Sequence, residues 1–176
     1  MNKNPLVLYS SKYGHTKKYA ELIAQRLNVK ANNIEDTDLE KLSDVDVIIY
    51  GSSLYAGNIN KSKEISKLIE KELIIFTVGL ANPKNTDYEE VVNRNFSTKD
   101  KEKIKFFHLM GGIDYTKMSL KHKMMMWVMI NILIRKQLKE NPTPDLISLK
   151  ESYGKSLEVF DNKNLEELIK YVEDTL

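Results

Sequence analysis

The sequence predicts an α/β fold in which helices cover both faces of a five-stranded parallel sheet. Short apolar runs that suit buried strands alternate along the chain with segments whose apolar residues repeat at helical spacing. The main apolar runs end in glycine or in small polar residues. This alternation favours a doubly wound sheet with right-handed crossovers, and we expect the strand order 2-1-3-4-5.

The elements follow one another in a regular order. The strand predictions are a run that begins at Leu6, a short edge strand within residues 32–38, and residues 45–51, 73–79 and 104–110. Helices are predicted over residues 16–27, 59–71, 86–96 and 164–175, because their apolar positions fall on one helical face. In such sheets ligands bind at the carboxyl ends of the strands, so the loops that follow the strands are expected to form the site.

Composition excludes several classes of function. The 176 residues are expected to form a single domain, residues 1–176, with an insertion at about residues 116–150. The formal net charge is only +2, which gives no sign of a nucleic-acid partner. The absence of cysteine excludes disulfides and thiol chemistry, and His15, His108 and His122 lack metal-ligand spacing. No signal peptide precedes Leu6, so a cytoplasmic location is expected.

The first strand leads into a turn whose residues suit a phosphate group. Ser11, Lys12 and Thr16 supply hydroxyls and a positive charge at the start of a helix, where backbone N–H groups and the helix dipole favour an anion. Gly14 lets the backbone turn sharply or approach a ligand closely. An ordinary strand–turn–helix in which Thr16 only caps the helix is the alternative. The predicted phosphate contacts are Ser10, Ser11, Lys12, Tyr13, Gly14, His15 and Thr16.

Other phosphate-binding motifs are absent from this turn. It contains neither G-x-x-x-x-G-K-[ST] nor G-x-G-x-x-G. A response-regulator receiver, which shares this strand order, needs acidic residues after the first strand and an aspartate at the end of the third. Serine and glycine occupy those positions here, so the receiver is set aside.

The turn resembles the FMN phosphate loop of flavodoxins, which follows the pattern [ST]-x-T-G-x-T. Ser11, Gly14 and Thr16 match the pattern, whereas Tyr13 stands where the middle threonine would be. Lys12 makes the loop similar to that of the menaquinone-dependent protoporphyrinogen IX dehydrogenases, a flavodoxin-like family with a basic residue after the hydroxyl. The resemblance implies a flavodoxin-like fold and FMN as the cofactor.

The resemblance also implies that the loops after the third and fourth strands flank the flavin ring. Tyr55 is either the aromatic residue stacked on the ring or a surface tyrosine in a turn, and Asn82 either contacts the pyrimidine edge or only forms a turn before proline. No aromatic residue is available for the other ring face. The expected ring contacts are Ser53, Leu54, Tyr55, Ala56, Gly57, Leu80, Ala81, Asn82 and Gly112, and Tyr115 either reaches the rim of the site or anchors the next helix.

A further apolar helix is predicted from Met118 to Lys139, after the fifth strand. Its apolar run is shorter than the about 20 residues that span a bilayer, and basic residues bracket it. One side is expected to pack in the core. The other side is available to a membrane interface at the inner face of the membrane, to a quinone or to a partner. The protoporphyrinogen dehydrogenases have a similar apolar and basic insertion at this place.

Together these observations predict an FMN-dependent oxidoreductase of the flavodoxin-like type, quinone-linked and similar to the protoporphyrinogen dehydrogenases. No side chain is an obvious acid–base catalyst, so no catalytic residue is assigned. One alternative is a soluble flavodoxin-type electron carrier without its own substrate, against which the slightly basic composition argues. Another is a flavodoxin fold that has lost FMN and serves as an interaction module.

Overall fold

The structure, a computed structural model, describes residues 3–55, 57–85 and 88–176. The chain separates into two compact units. The first contains the residues up to Gly111 together with Asp161–Leu176, and the second is Gly112–Phe160. The division into two units does not test whether residues 1–176 form a single domain, which stays a prediction.

The first unit is built on a parallel sheet. Its strands are β1 (Pro5–Ser10), β2 (Ala31–Asn33), β3 (Val47–Tyr55), β5 (Glu72–Gly79) and β6 (Ile104–Met110), in the spatial order β2-β1-β3-β5-β6. This path confirms the predicted order 2-1-3-4-5. A sixth strand, β4 (Asn58–Ile59), pairs antiparallel with β3, so the count of five strands was wrong by one short strand.

Helices α1 (His15–Arg26) and α8 (Asn162–Thr175) confirm two helix predictions closely. The helix predicted over residues 59–71 is wrong for most of its length, because α2 covers only Ser62–Ser66. After α2 the backbone makes tighter bonds between residues three apart, such as Leu68 N–H to Ile65 O at 2.9 Å. The helix predicted over residues 86–96 is α3 (Glu89–Asn95), and a short α4 (Thr98–Lys101) follows it.

The core lies on the central strands, because strands buried on both faces carry runs of apolar residues. Residues 47–50 of β3 and residues 73–76 of β5 are almost completely buried. At the carboxyl end of β6, the Tyr19 hydroxyl donates to the carbonyl oxygen of Met110 at 2.7 Å. Burial raises the pKa of Tyr19, and Asp161 accepts the Met110 N–H at 3.1 Å, so α1 and α8 are both tied to β6. The apolar core therefore ends near the carboxyl ends of the strands, where polar side chains begin.

The second unit contains the additional helix that the sequence predicts. It comprises α5 (Leu120–Val128), a π-helical turn (Met129–Ile134) and α6 (Arg135–Glu140), with α7 (Pro144–Glu151) packed on the π-helical turn. An antiparallel bridge joins Ile113 to Leu157 through hydrogen bonds of 2.7 and 2.8 Å. Within the described residues, no helix is both long enough and apolar enough to cross a membrane.

Candidate functional site

The turn after β1 has the form of an open helix start. Gly14 lies immediately before α1 with φ at 94°, a left-handed conformation that favours glycine. Its N–H donates to Ser11 Oγ at 3.2 Å, and its carbonyl accepts from Lys18 N–H at 2.9 Å. No side chain caps α1, and its first turn contains no acidic residue. The positive end of the α1 dipole therefore faces this turn, and no acidic side chain in the first turn of α1 neutralises it.

The other residues of the turn differ in exposure. Lys12 is exposed, and its Nζ lies 5.8 Å from the centroid of the Tyr13 ring. Ser11, Tyr13 and His15 are half-buried. Thr16 is nearly fully buried in the first turn of α1. The capping position belongs to Gly14 instead, because the helix begins one residue before Thr16.

The predicted loop over residues 52–58 is mostly strand. Ser53, Leu54 and Tyr55 continue β3 and turn back through Gly57, whose φ is 76°, into β4. Leu54 pairs with Ile59, and Ala56 lies outside the described residues. Tyr55 is 38% exposed at the tip of this hairpin. Partial burial raises the pKa of Tyr55, and the neighbouring Tyr13 raises it further, which places the two tyrosines of the two loops near one another.

Helix α3 holds this hairpin in place. Asn95 accepts the Ile59 N–H and donates to the Gly57 carbonyl, both at 2.8 Å. Any side chain at Gly57 would meet the Arg94 guanidinium, which lies 2.6 Å from the position of a Cβ atom. Sequence analysis did not find Asn95, because nothing in its local pattern indicates a partner 36 residues earlier in the chain.

A row of buried polar residues crosses the sheet just below the loops, and sequence analysis missed it as a group. Four parallel strands contribute one residue each: Ser10, Ser52, Thr77 and His108. The strand register pairs Ser10 with Ser52, Ser52 with Thr77, and Thr77 with His108. One signal was available, since in each strand this residue stands two positions after a core-facing residue and so shares its face.

Asn60 joins the first two members of this polar row. Its side-chain amide donates to Ser10 Oγ at 2.7 Å, and its backbone N–H donates to Ser52 Oγ at 3.0 Å. The Tyr50 hydroxyl, whose pKa is raised mainly by burial, donates to the Asn60 carbonyl at 2.7 Å. The end of β1, which leads into the predicted phosphate-binding turn, is thereby tied to the end of β3, which begins the hairpin.

His108 forms the other end of the polar row. Its Nδ1 lies 2.7 Å from Thr77 Oγ1, and its ring stacks on Tyr88 with the centroids 4.4 Å apart. Its Nε2 is buried and has no partner at hydrogen-bond distance among the residues that the structure describes. Burial lowers the pKa of His108 to about 4, although the Ala81 backbone and the Asp161 charge oppose this shift. The imidazole is therefore neutral at pH 7 beneath the loop that follows β5.

That loop contains the remaining ring contacts predicted in the first unit. Leu80 is half-buried and Ala81 is exposed. Asn82 Oδ1 accepts the Lys84 N–H at 3.1 Å, which is the turn role considered for it. A methyl group at Gly79 would lie 3.1 Å from the His108 ring, so His108 supports the start of this loop from below.

Gly112, the last of the predicted contacts, is the first residue of the second unit. Near it, the Asp114 carboxylate accepts the Thr116 N–H at 2.9 Å and the Ser156 hydroxyl at 3.1 Å. Hydrogen bonds, the strongest from Thr116, lower the pKa of Asp114. The Tyr115 ring meets the Tyr153 ring edge-on, with the centroids 5.5 Å apart, and Tyr153 lies after α7 rather than in the helix that follows Tyr115.

A shallow, open concave region lies at the opposite end of the sheet, where α1 ends and β2 begins. Its volume is about 620 Å³, and its walls include Glu21, Gln25 and Lys30. None of the polar strand ends reaches it, so we do not assign the site there. No group of three or more His, Asp or Glu residues among the described part of the chain could hold a metal.

Comparison with known proteins identifies the family. The family model described as "Flavodoxin domain" matches residues 6–140. The chain belongs to the flavodoxin domain family. The match begins in β1 and extends to the end of α6, so it includes the turn after β1 and the apolar helix of this flavodoxin-domain protein.

Individual proteins match this chain with sequence identities between 19% and 32%. An uncharacterized protein of Methanocaldococcus jannaschii is 32% identical over 112 residues, which cover 60% of this chain and 70% of that protein. A flavodoxin from the domain Archaea is 19% identical with a TM-score of 0.42, covering 65% of this chain and 87% of its own. Oxidised flavodoxin 2 from Bacillus cereus is 21% identical with a TM-score of 0.40, covering 61% and 85%.

Proposed function

We propose that this flavodoxin-domain protein binds FMN at the carboxyl end of its sheet and works as an FMN-dependent oxidoreductase. The observation that carries the proposal is the uncapped start of α1 behind Gly14 in a chain of this family. FMN ends in one phosphate, and a helix start with an adjacent cation binds one phosphate well. The bound flavin would supply the electron transfer, and the protein would supply binding and orientation.

The turn after β1 fits the phosphate of FMN. Lys12 adds a positive charge, and Ser11 holds the turn by accepting the Gly14 N–H. A Cβ atom built at Gly14 would meet no atom within 4 Å, so space remains beside the backbone for a ligand. The first turn of α1 has no acidic side chain to repel the phosphate. These features support FMN over a ligand without a terminal phosphate.

The hairpin tip fits the flavin ring. Tyr55 is exposed enough to offer a ring face and lies near Tyr13, so one flat ligand could contact the loops after both β1 and β3. The neutral His108 below the loop after β5 keeps that edge of the site free of a buried positive charge. We propose that Tyr55 covers one flavin face and that the loop Leu80–Asn82 lines the opposite edge.

For the reaction partner we propose a quinone, in a reaction similar to that of the menaquinone-dependent protoporphyrinogen dehydrogenases. Lys12 in the phosphate loop and the apolar, basic helix of the second unit support this finer assignment. A soluble electron carrier is the second candidate. The observation in its favour is that the described residues of the loops after β1, β3 and β5 contain no carboxylate that could act as an acid–base catalyst.

Two measurements test the proposal. The purified protein is incubated with FMN, desalted and examined by visible spectroscopy, with FAD and riboflavin as controls for the terminal phosphate. A flavin spectrum after FMN and none after riboflavin is expected. A protein that remains colourless with FMN overturns the proposal. The flavin-loaded protein is then reduced and mixed with a menaquinone analogue. Flavin reoxidation that is no faster with the quinone than in air alone would favour the soluble electron carrier over the quinone-linked enzyme.

A further inference from the structure

The helix of the second unit, Leu120–Glu140, has one buried and one exposed side; we call it the insertion helix. Ile130 and Ile134 are only 3% and 5% exposed. The buried or half-buried side is spaced at every fourth residue: His122, Met126, Ile130, Ile134 and Leu138. This side supplies the packing that holds the helix in its unit.

The exposed side of the insertion helix is also apolar, which is uncommon for a surface helix. The side chain of Leu120 is 84% exposed, and that of Trp127 is 51% exposed. The exposed apolar residues of the helix, each at least 37% exposed, are Leu120, Met124, Met125, Trp127, Val128, Ile132 and Leu133.

The π-helical turn keeps this exposed side continuous. Four residues overshoot one turn of an α-helix by about 40°, so a spacing of four maintained over four steps would rotate the stripe by about 160°. The wider turn at Met129–Ile134 uses more residues per turn and cancels much of this rotation. Ile132 and Leu133 therefore continue the exposed stripe that begins with Leu120 and Met124.

Mostly positive charges accompany the stripe. Glu140, the last residue of the insertion helix, is its one acidic residue, and residues 120–139 contain no Asp or Glu. Their cations are Lys121, Lys123, Arg135, Lys136 and Lys139, which stand before and after the apolar run. A surface with an apolar centre and basic ends is complementary to a layer with an apolar interior and anionic head groups.

We propose that the exposed side of the insertion helix docks this protein on an anionic phospholipid membrane. The helix would lie in the plane of the interface, with its apolar stripe about 5–10 Å into the head-group boundary and Trp127 at that boundary. Because no described helix can span a bilayer, the contact is peripheral. A second copy is a poorer occupant, since a symmetric contact would bring like-charged helix ends together. This inference does not depend on FMN binding.

Trp127 is the only tryptophan of the chain and reports directly on the contact. The full-length protein is mixed with vesicles of phosphatidylcholine alone or of phosphatidylcholine with phosphatidylglycerol, and co-sedimentation and Trp127 emission are measured. We expect sedimentation and a blue shift only with phosphatidylglycerol, and quenching of Trp127 by brominated acyl chains. Raising the salt from about 0.1 M to about 1 M shortens the Debye length from about 10 Å to about 3 Å and should release much of the protein.

A charge-reversed variant and a matched control complete the test. The variant carries Lys121→Glu, Lys123→Glu, Arg135→Glu and Lys136→Glu. Its partition onto anionic vesicles should fall at least about a thousandfold, since each interfacial cation contributes about 1 kcal/mol. The control reverses four exposed lysines of the first unit, Lys63, Lys67, Lys99 and Lys163, and should bind within about tenfold of wild type.

Three results would overturn the proposal. One is a wild-type protein that ignores phosphatidylglycerol vesicles. Another is a control variant that loses as much binding as the charge-reversed variant. The third is a lipid-free dimer whose formation shifts the Trp127 emission while vesicles do not, which would assign the surface to a second copy. The vesicle measurements on the wild-type protein test membrane docking even if a variant fails to fold.

Discussion

Asn60→Ala is the substitution that tests most directly how the strand ends hold the candidate site. It removes the 2.7 Å hydrogen bond to Ser10 Oγ and the 3.1 Å bond from the Lys61 N–H. The backbone bonds of Asn60 to Ser52 and Tyr50 survive, because they do not use the side chain. Ser10 is only 7% exposed, so its hydroxyl loses a partner that water replaces poorly. We expect a loss of about 1–3 kcal/mol in the free energy of unfolding.

Urea unfolding followed by circular dichroism measures this loss. With an m-value of about 2 kcal/mol/M, the midpoint should fall by about 1 M. Asn93→Ala is the matched control, because Asn93 is exposed and its side chain accepts from Lys101 Nζ at the surface. It should change stability by about 0.5 kcal/mol or less. Asn60→Ala should also weaken FMN binding, because the phosphate loop and the hairpin lose part of their connection.

A double-mutant cycle with Ser10→Ala locates the effect. If the 2.7 Å bond carries the energy, the two substitutions should be non-additive by about 0.5 kcal/mol or more. Strict additivity, or an Asn60→Ala protein that unfolds together with Asn93→Ala, would refute the reasoning. The polar row would then be incidental to stability.

Three further predictions concern the same edge of the sheet. Gly14→Val should lower stability by about 1–2 kcal/mol, because φ is 94° there, and should abolish FMN binding in calorimetry, whereas unchanged affinity would remove the turn from the site. Tyr55→Ala should weaken FMN by up to about tenfold, since aromatic stacking contributes about 0.5–1.5 kcal/mol, and an unchanged affinity and flavin spectrum would make it an ordinary turn residue. Acidification should destabilise the wild type more than His108→Asn. The pKa of His108 is about 4 in the folded protein and 6.5 for an ordinary histidine in the unfolded chain. The free energy of unfolding should therefore fall by up to about 3 kcal/mol as the pH is lowered from 6.5 to 4. Urea unfolding of both proteins across this pH range is the measurement, and the same pH dependence in both would refute the pKa shift.

The sequence was a good guide to the sheet because its main strands are determined locally. Residues 73–79 and 104–110 are rich in apolar residues, and each stretch follows a charged residue and ends at or just before a glycine. They became β5 and β6 almost unchanged. The expected order of the strands came from the resemblance to flavodoxins, because right-handed crossovers alone allow more than one strand order. Helices α1 and α8 were equally accessible, since each has a clear apolar face of helical period.

The hairpin and the polar row could not be predicted in the same way, because distant contacts form them. Residues 52–58 are small and polar, and that composition suggests a loop. They are strand because β4 pairs back onto β3 and Asn95 in α3 bonds to the turn. Likewise Ser52 and Thr77 are unremarkable in their own strands. Only the register of neighbouring strands makes them adjacent members of a row.

The position of the polar row has a consequence for how the molecule can change. Below it, residues such as Ile48 and Ile75 form a dry core that determines most of the stability. Above it are the turns that give the site its chemistry. The row lies between these two regions, and Asn60 of the turn above bonds to it through Ser10 and Ser52. A turn at this edge can therefore be exchanged without repacking the core only if the new turn keeps an amide side chain at position 60, and a graft that loses it should also lose folding free energy.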